Sequence, residues 1–124
     1  MFIFYNPNPK NLEVGDCAVR AICKLTEREW NDIFMDLATK SYAMKDMPSS
    51  NAVWGRYLRD LGYKRHAIPD SCPDCYTISE FCSDHKYGRY LLATGSHVVT
   101  CIDGDYYDTW DSGKKVPLYY YSME

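Results

Sequence analysis

Two residues of this 124-residue chain stand where they can do nucleophilic chemistry together, Cys17 and His97. Cys17 lies in Val14-Gly-Asp-Cys-Ala-Val-Arg-Ala-Ile22. Asp16 can cap a helix there, with Val19, Ile22 and Leu25 at core-facing spacing behind it. The unpaired N–H groups of a helix start carry partial positive charge. They favour thiolate over thiol, and they can hold an oxyanion that develops beside it. His97 follows Gly95-Ser96 and opens the β-forming run His97–Ile102, so its ring can project from a sheet edge into a cleft. Imidazole in that position takes the thiol proton and later protonates the leaving group. Each residue also has an ordinary structural role when taken alone. A lone helical cysteine is commonly a small buried apolar side chain.

Two aspartates compete to orient His97, namely Asp108 and Asp111. Asp103-Gly104 lies between two β-forming runs and is a strong signal for a two-residue hairpin turn. That turn pairs Ile102 with Asp105 and His97 with Trp110, and puts Asp108 diagonally across from His97 on the same face. A three-residue turn would slip the register by one and bring Asp111 opposite His97 instead. The two-residue turn favours Asp108. Trp110 would then cover the His97–Asp108 contact, or serve as an ordinary core aromatic.

The chain resembles the papain-like cysteine peptidase superfamily, and most closely its compact bacterial and phage members and the peptidase domains that process bacteriocins. The order Cys17, His97, Asp108 is that family's order of nucleophile, base and orienting residue. Asn11 stands six residues before Cys17, where papain has its oxyanion-hole glutamine. Asp16-Cys17 matches the Asp-Cys of the bacteriocin-processing domains, and Asp108-Thr-Trp110 is similar to papain's Asn-Ser-Trp. The resemblance runs from Asn11 to about Gly113. The departures are Asn11 in place of the longer glutamine, Ala18 where papain has tryptophan, and a much shorter chain. The resemblance implies an α+β papain-like fold, with the nucleophile at a helix start packed on a C-terminal antiparallel sheet. It also implies a Cys17–His97–Asp108 triad, with Asn11 and the Cys17 N–H as oxyanion donors. The substrate it implies is a peptide or protein, cleaved at an amide or isopeptide bond. Acyl transfer and deamidation use the same constellation.

Cys72-Pro-Asp-Cys75 and Cys82-Ser-Asp-His85 form a C-x2-C-x6-C-x2-H pattern whose ligand types suit a closed structural zinc site. The loop between the pairs is short and must contain a helix start, so no metal and no cofactor is expected. The non-enzymatic alternative is a zinc-stabilised interaction module in which Cys17 is structural. Cys23 and Cys101 read as buried apolar residues, and His66 as a solvated strand residue.

The elements that must position these groups read as helices first and strands afterwards, which is an α+β pattern. A short strand at Phe2–Tyr5 is followed by the Asn6-Pro-Asn-Pro9 loop. The helix from Asp16 is followed by a second, opened by a capping box at Thr26-Glu-Arg-Glu29, with Trp30, Ile33, Phe34 and Leu37 as its apolar stripe. A third carries Val53, Trp54, Tyr57, Leu58 and Leu61 inward and stops at Gly62. Thr77-Ile-Ser-Glu80 caps a short fourth helix reaching His85. Strands are expected at Tyr90–Thr94, Val98–Ile102, Asp105–Trp110 and Val116–Tyr121.

Length fits one domain, residues 1–124, and a chain this long needs no staple to hold a core. Hydrophobic residues at 46% and charged residues at 25% are those of an ordinary globular protein. A net charge of -3 without a basic stripe argues against nucleic acid as a partner. The apolar runs are too short for a membrane span, and Met1–Lys10 lacks the pattern of an export signal. The expected setting is therefore a reducing cytoplasm, where six cysteines are thiols, ligands or a nucleophile rather than a disulfide framework.

Overall fold

The structure is a computed structural model that describes residues 1–69 and 76–124. Three helices come first: α1 (Cys17–Thr26), α2 (Trp30–Met44) and α3 (Asn51–Asp60). Ahead of them runs β1 (Phe2–Phe4), and after them β2 (Lys64–Ala67) and the short α4 (Ile78–Asp84). The last third holds β3 (Arg89–Ala93), β4 (Val98–Ile102), β5 (Asp105–Asp108) and β6 (Tyr119–Ser122). The α+β class read from the sequence holds. The expected C-terminal antiparallel sheet is instead a mixed six-stranded sheet in the order β1-β5-β4-β3-β6-β2. Its two edges, β1 and β2, both precede the last third of the chain. β1 lies parallel to β5, and β2 lies antiparallel to β6.

Side chains on successive strand residues point to opposite faces, and here both faces are covered. On one face Leu91, Ala93, Val98, Tyr119 and Tyr121 join Ile22 and Leu25 of α1, Ile33 and Leu37 of α2, and Trp54 and Leu58 of α3. On the other, Leu92, Val99, Cys101 and Tyr106 meet Ile78, Phe81 and Cys82 of α4. This is why β3 and β4 read as nearly unbroken apolar runs rather than as alternating ones.

α1 packs on the centre of the sheet, and one buried polar contact fixes how it sits. Thr100 of β4 is fully buried and donates its hydroxyl to the Ala21 carbonyl of α1 at 2.6 Å. The helix that begins at Cys17 is thereby tied to the strand that follows His97.

Several local expectations give way to neighbouring contacts. The capping box at Thr26–Glu29 does not form. α1 runs through Thr26, whose hydroxyl turns back to the Ile22 carbonyl, and Glu27 ends the helix in the left-handed region. Glu29 is the N-cap of α2 without a side-chain cap bond. Phe34 and Leu61, expected inward, are about two-fifths exposed. Leu61 lies in the turn that closes α3, just ahead of Gly62 at φ 101°. The capping box at Thr77–Glu80 does form, with both reciprocal bonds present. His66 sits on β2, half-buried and stacked on Tyr120.

Candidate active site

Cys17 is the first residue of α1 and is half-buried. Asp16 occupies the N-cap position but does not cap, because its carboxylate is turned away to other partners. Its Oδ1 accepts from Arg20 at 2.6 Å and its Oδ2 from the Trp30 indole N–H at 2.9 Å. The first-turn N–H groups beside Cys17 are thus left without a side-chain cap. Their partial positive charge faces the thiol.

His97 is brought to Cys17 by the turn between β3 and β4. The Thr94 hydroxyl accepts from the N–H groups of Ser96 and His97, and the Thr94 N–H donates to the His97 carbonyl. This closes the chain tightly around Gly95 and Ser96 and sets His97 at the tip of the hairpin, one residue before β4. Its ring then packs against Trp110, with centroids 4.8 Å apart.

The hairpin register decides between the two aspartates. Ile102 pairs with Asp105, and Asp103 and Gly104 both have positive φ, as a two-residue turn of the primed type requires. Asp108 ends β5 diagonally across from His97, and His97 Nε2–H donates to Asp108 Oδ2 at 2.6 Å. A carboxylate can only accept here, so the proton of the neutral ring sits on Nε2 and Nδ1 is left as the ring's free acceptor. Asp111 takes different partners, the Tyr106 hydroxyl and the Gly113 N–H.

Asp108 is fully buried, and its lone pairs are filled. Oδ1 accepts from Arg20 at 2.9 Å and from the Thr109 N–H, while Oδ2 accepts from His97 and from Ser112 Oγ at 2.7 Å. β5 stops at Asp108 rather than at Trp110, and the Thr109 N–H turns to the Asp108 side chain. Arg20 therefore bridges two buried carboxylates, Asp16 and Asp108. One guanidinium balances one of them. The second negative charge is best balanced when His97 is protonated.

The titration of the pair follows from these contacts. For His97, burial pushes the imidazolium down. The hydrogen bonds to Asp108 and Cys17 and the charges of both outweigh it, and raise the group to about 9. For Cys17, burial pushes the thiol up. Its hydrogen bond to His97, the imidazolium charge, a backbone bond at Val98 and the Arg20 charge outweigh that and hold it below the ordinary thiol value. Opposite shifts in two groups that line one cleft favour proton transfer from sulfur to ring. The arrangement can thus present a thiolate beside an imidazolium at neutral pH.

Asn11 is not brought to this site. It is exposed and in the left-handed region at φ 57°, within a loop organised by Asn8, whose side chain accepts from the N–H groups of Lys10 and Leu12. The cleft beside Cys17 is lined by Glu13–Cys17, Arg20, Ser96, His97, Thr109 and Trp110, and Asn11 lies outside that lining. Arg20, Ser112 and Trp30 are the partners that sequence reasoning missed. Arg20 alone left a signal, since it follows Asp16 at helical i+4 spacing.

Of the C-x2-C-x6-C-x2-H pattern, Cys72 and Cys75 lie outside the described residues. Cys82 is fully buried beside Cys101, and His85 stacks on Phe81 with centroids 3.7 Å apart. Among the described residues no cluster of three or more His, Cys, Asp or Glu could hold a metal. Among them, too, no helix is long and apolar enough to cross a membrane. No family model, no curated protein and no solved structure matches the chain.

Proposed function

We propose that this chain is a thiol hydrolase of papain-like organisation that acts on acyl bonds of peptides or proteins. The observation that carries the reading is the continuous line Cys17–His97–Asp108. A thiol at a helix start lines one cleft with the imidazole that lowers its pKa, and a fully buried carboxylate holds Nε2 of that ring. In the mechanism this supports, His97 holds the Cys17 proton and the thiolate attacks the acyl carbon. The uncapped N–H groups at the start of α1 receive the oxyanion. The imidazolium then protonates the leaving group, and water, deprotonated by the same ring, releases the acyl chain from sulfur. Asp108 fixes the ring and its tautomer and stabilises its positive charge. Asn11, outside the lining of the cleft, has no part in this version. The backbone alone serves the oxyanion.

The test uses a small activated ester without a side chain, the p-nitrophenyl ester of N-acetylglycine. The wild type is expected to release nitrophenolate with turnover and to show a transient acyl mass on Cys17. Cys17→Ala should abolish both. His97→Ala should slow the reaction by about 10²–10⁴-fold, the usual worth of a general base. Adding a primary amine distinguishes the outcomes. A free acid as product supports hydrolysis, and an amide as product assigns the same site to acyl transfer. An intact Cys17 with no turnover would overturn the proposal.

A further inference from the structure

Cys17 lies between two hollows of different character. On one side is the polar cleft of about 520 Å³ that contains His97 and Trp110. On the other is a smaller hollow of about 310 Å³ walled by Val14, Ala18, Val19, Trp30, Phe34 and Pro48. The two share the segment Val14–Cys17, so Cys17 lines both. The small hollow is built from apolar groups that are left open to solvent. Phe34 is 41% exposed and Val14 47%, although α2 has a core for Ile33 and Leu37. Its aromatic wall is held in place. The rings of Trp30 and Phe34 stack at 5.0 Å, 9° from parallel, and the Trp30 indole is anchored on Asp16. Among the described residues, Asp16 is the single charged one of the lining. Its carboxylate is engaged by Arg20 and Trp30, so the hollow offers nothing to a charged guest.

We infer that this hollow is the specificity pocket of the enzyme and takes one bulky, uncharged apolar side chain from the acyl part of the substrate. The inference rests on Cys17 acting as the nucleophile. The direction follows from the chemistry, because the imidazolium must reach the leaving group. The leaving group therefore occupies the His97 cleft, and the acyl chain leads the other way across the start of α1. A volume of about 310 Å³ is at the small end for ligand pockets, which run from roughly 300 to 1,000 Å³. It suits one leucine- or phenylalanine-sized group rather than a whole small molecule. A rigid stacked wall needs little ordering when it binds such a group.

The experiment uses N-acetyl dipeptide p-nitrophenyl esters with Leu, Phe, Ala, Asp or Lys at each of the two positions before the ester. In the step measured, a C–S bond forms at the acyl carbon, the acyl–oxygen bond breaks and nitrophenolate leaves with the electron pair. Each rate is divided by the rate of Cys17 alkylation by iodoacetamide in the same variant. Iodoacetamide is too small to use the pocket. At one of the two positions Leu and Phe are expected to acylate Cys17 about tenfold or more faster than Ala, Asp or Lys, the range that hydrophobic pockets give. Phe34→Ala and, separately, Val14→Ala should shrink that ratio. Equal normalised rates for all side chains would overturn the pocket while leaving the nucleophile intact. A preference that survives both substitutions would also overturn it, because it would arise elsewhere. If neither the esters nor iodoacetamide modify Cys17, the underlying reading fails and this inference falls with it.

Discussion

Cys17 and Cys23 sit on the same helix less than two turns apart, and the fold drives them in opposite directions. Burial raises both thiols. For Cys17 that push is reversed by an imidazole, a backbone donor and an arginine. For Cys23 burial is joined by the negative charges of Asp16 and Asp32, and the thiol is pushed up to about 12. Cys23 is 1% exposed and belongs to the core. The difference teaches that removal from water does not make a cysteine reactive. What counts is which charges remain in contact after water has gone.

The largest expected effect is in alkylation. At pH 7 a thiol at about 12 is thiolate to about one part in 10⁵, whereas Cys17 is held below the ordinary thiol value. Limiting iodoacetamide on the native protein, mapped by mass spectrometry, should therefore mark Cys17 and leave Cys23, Cys82 and Cys101 unlabelled. First labelling at Cys23, or at Cys72 or Cys75 with Cys17 untouched, would break the comparison.

A smaller effect, on stability, sharpens the part played by Arg20. Arg20→Met strands two buried carboxylates, and losing one partner of a buried pair costs about 3–5 kcal/mol. Arg56 also pairs with a carboxylate, that of Asp60, but at the surface. Arg56→Met should cost under about 1 kcal/mol. Urea unfolding midpoints at constant slope measure both. Equal losses would mean that Arg20 is not the buried bridge described.

The finest test is the pH profile of Cys17 alkylation. The rate follows the thiolate, so it rises with pH through the Cys17 value, which lies below that of an ordinary thiol. His97→Ala removes the hydrogen bond and the charge and leaves the burial penalty. The rise should then move up to, or past, the free-thiol value of about 8.5. Asp108→Asn removes the carboxylate that lifts His97 to about 9. The ring then loses its proton at lower pH, and the Cys17 profile should shift upward part of the way. Asp111→Asn should leave it in place. A shift with Asp111→Asn and none with Asp108→Asn would overturn the assigned role of Asp108.

Much of the site is legible in the amino-acid sequence, because its parts are set by local chemistry. Asp103-Gly104 specifies a turn with two positive φ values, and that turn dictates a register. The register puts Asp108 rather than Asp111 on the face of His97. The capping box at Thr77 is legible for the same reason, since both of its bonds lie within four residues. Asn11 misleads because matching spacing along the chain says nothing about the path of a loop. The side chain of Asn8 folds that loop so that Asn11 faces solvent.

By itself, then, the sequence determined the α+β class, the helix that starts at Cys17 and the hairpin that begins at His97, and it favoured Asp108 over Asp111. All of these follow from contacts between residues near in the chain or from the two-residue period of a strand. Only the tertiary structure decided the rest. It paired β1 with β5 and β2 with β6, drew Asp16 away from its capping role, and laid Arg20 between Asp16 and Asp108. The physical reason is common to these three. A buried donor, acceptor or charge must find a partner, and when that partner lies 88 residues away, as Asp108 lies from Arg20, no local pattern records it.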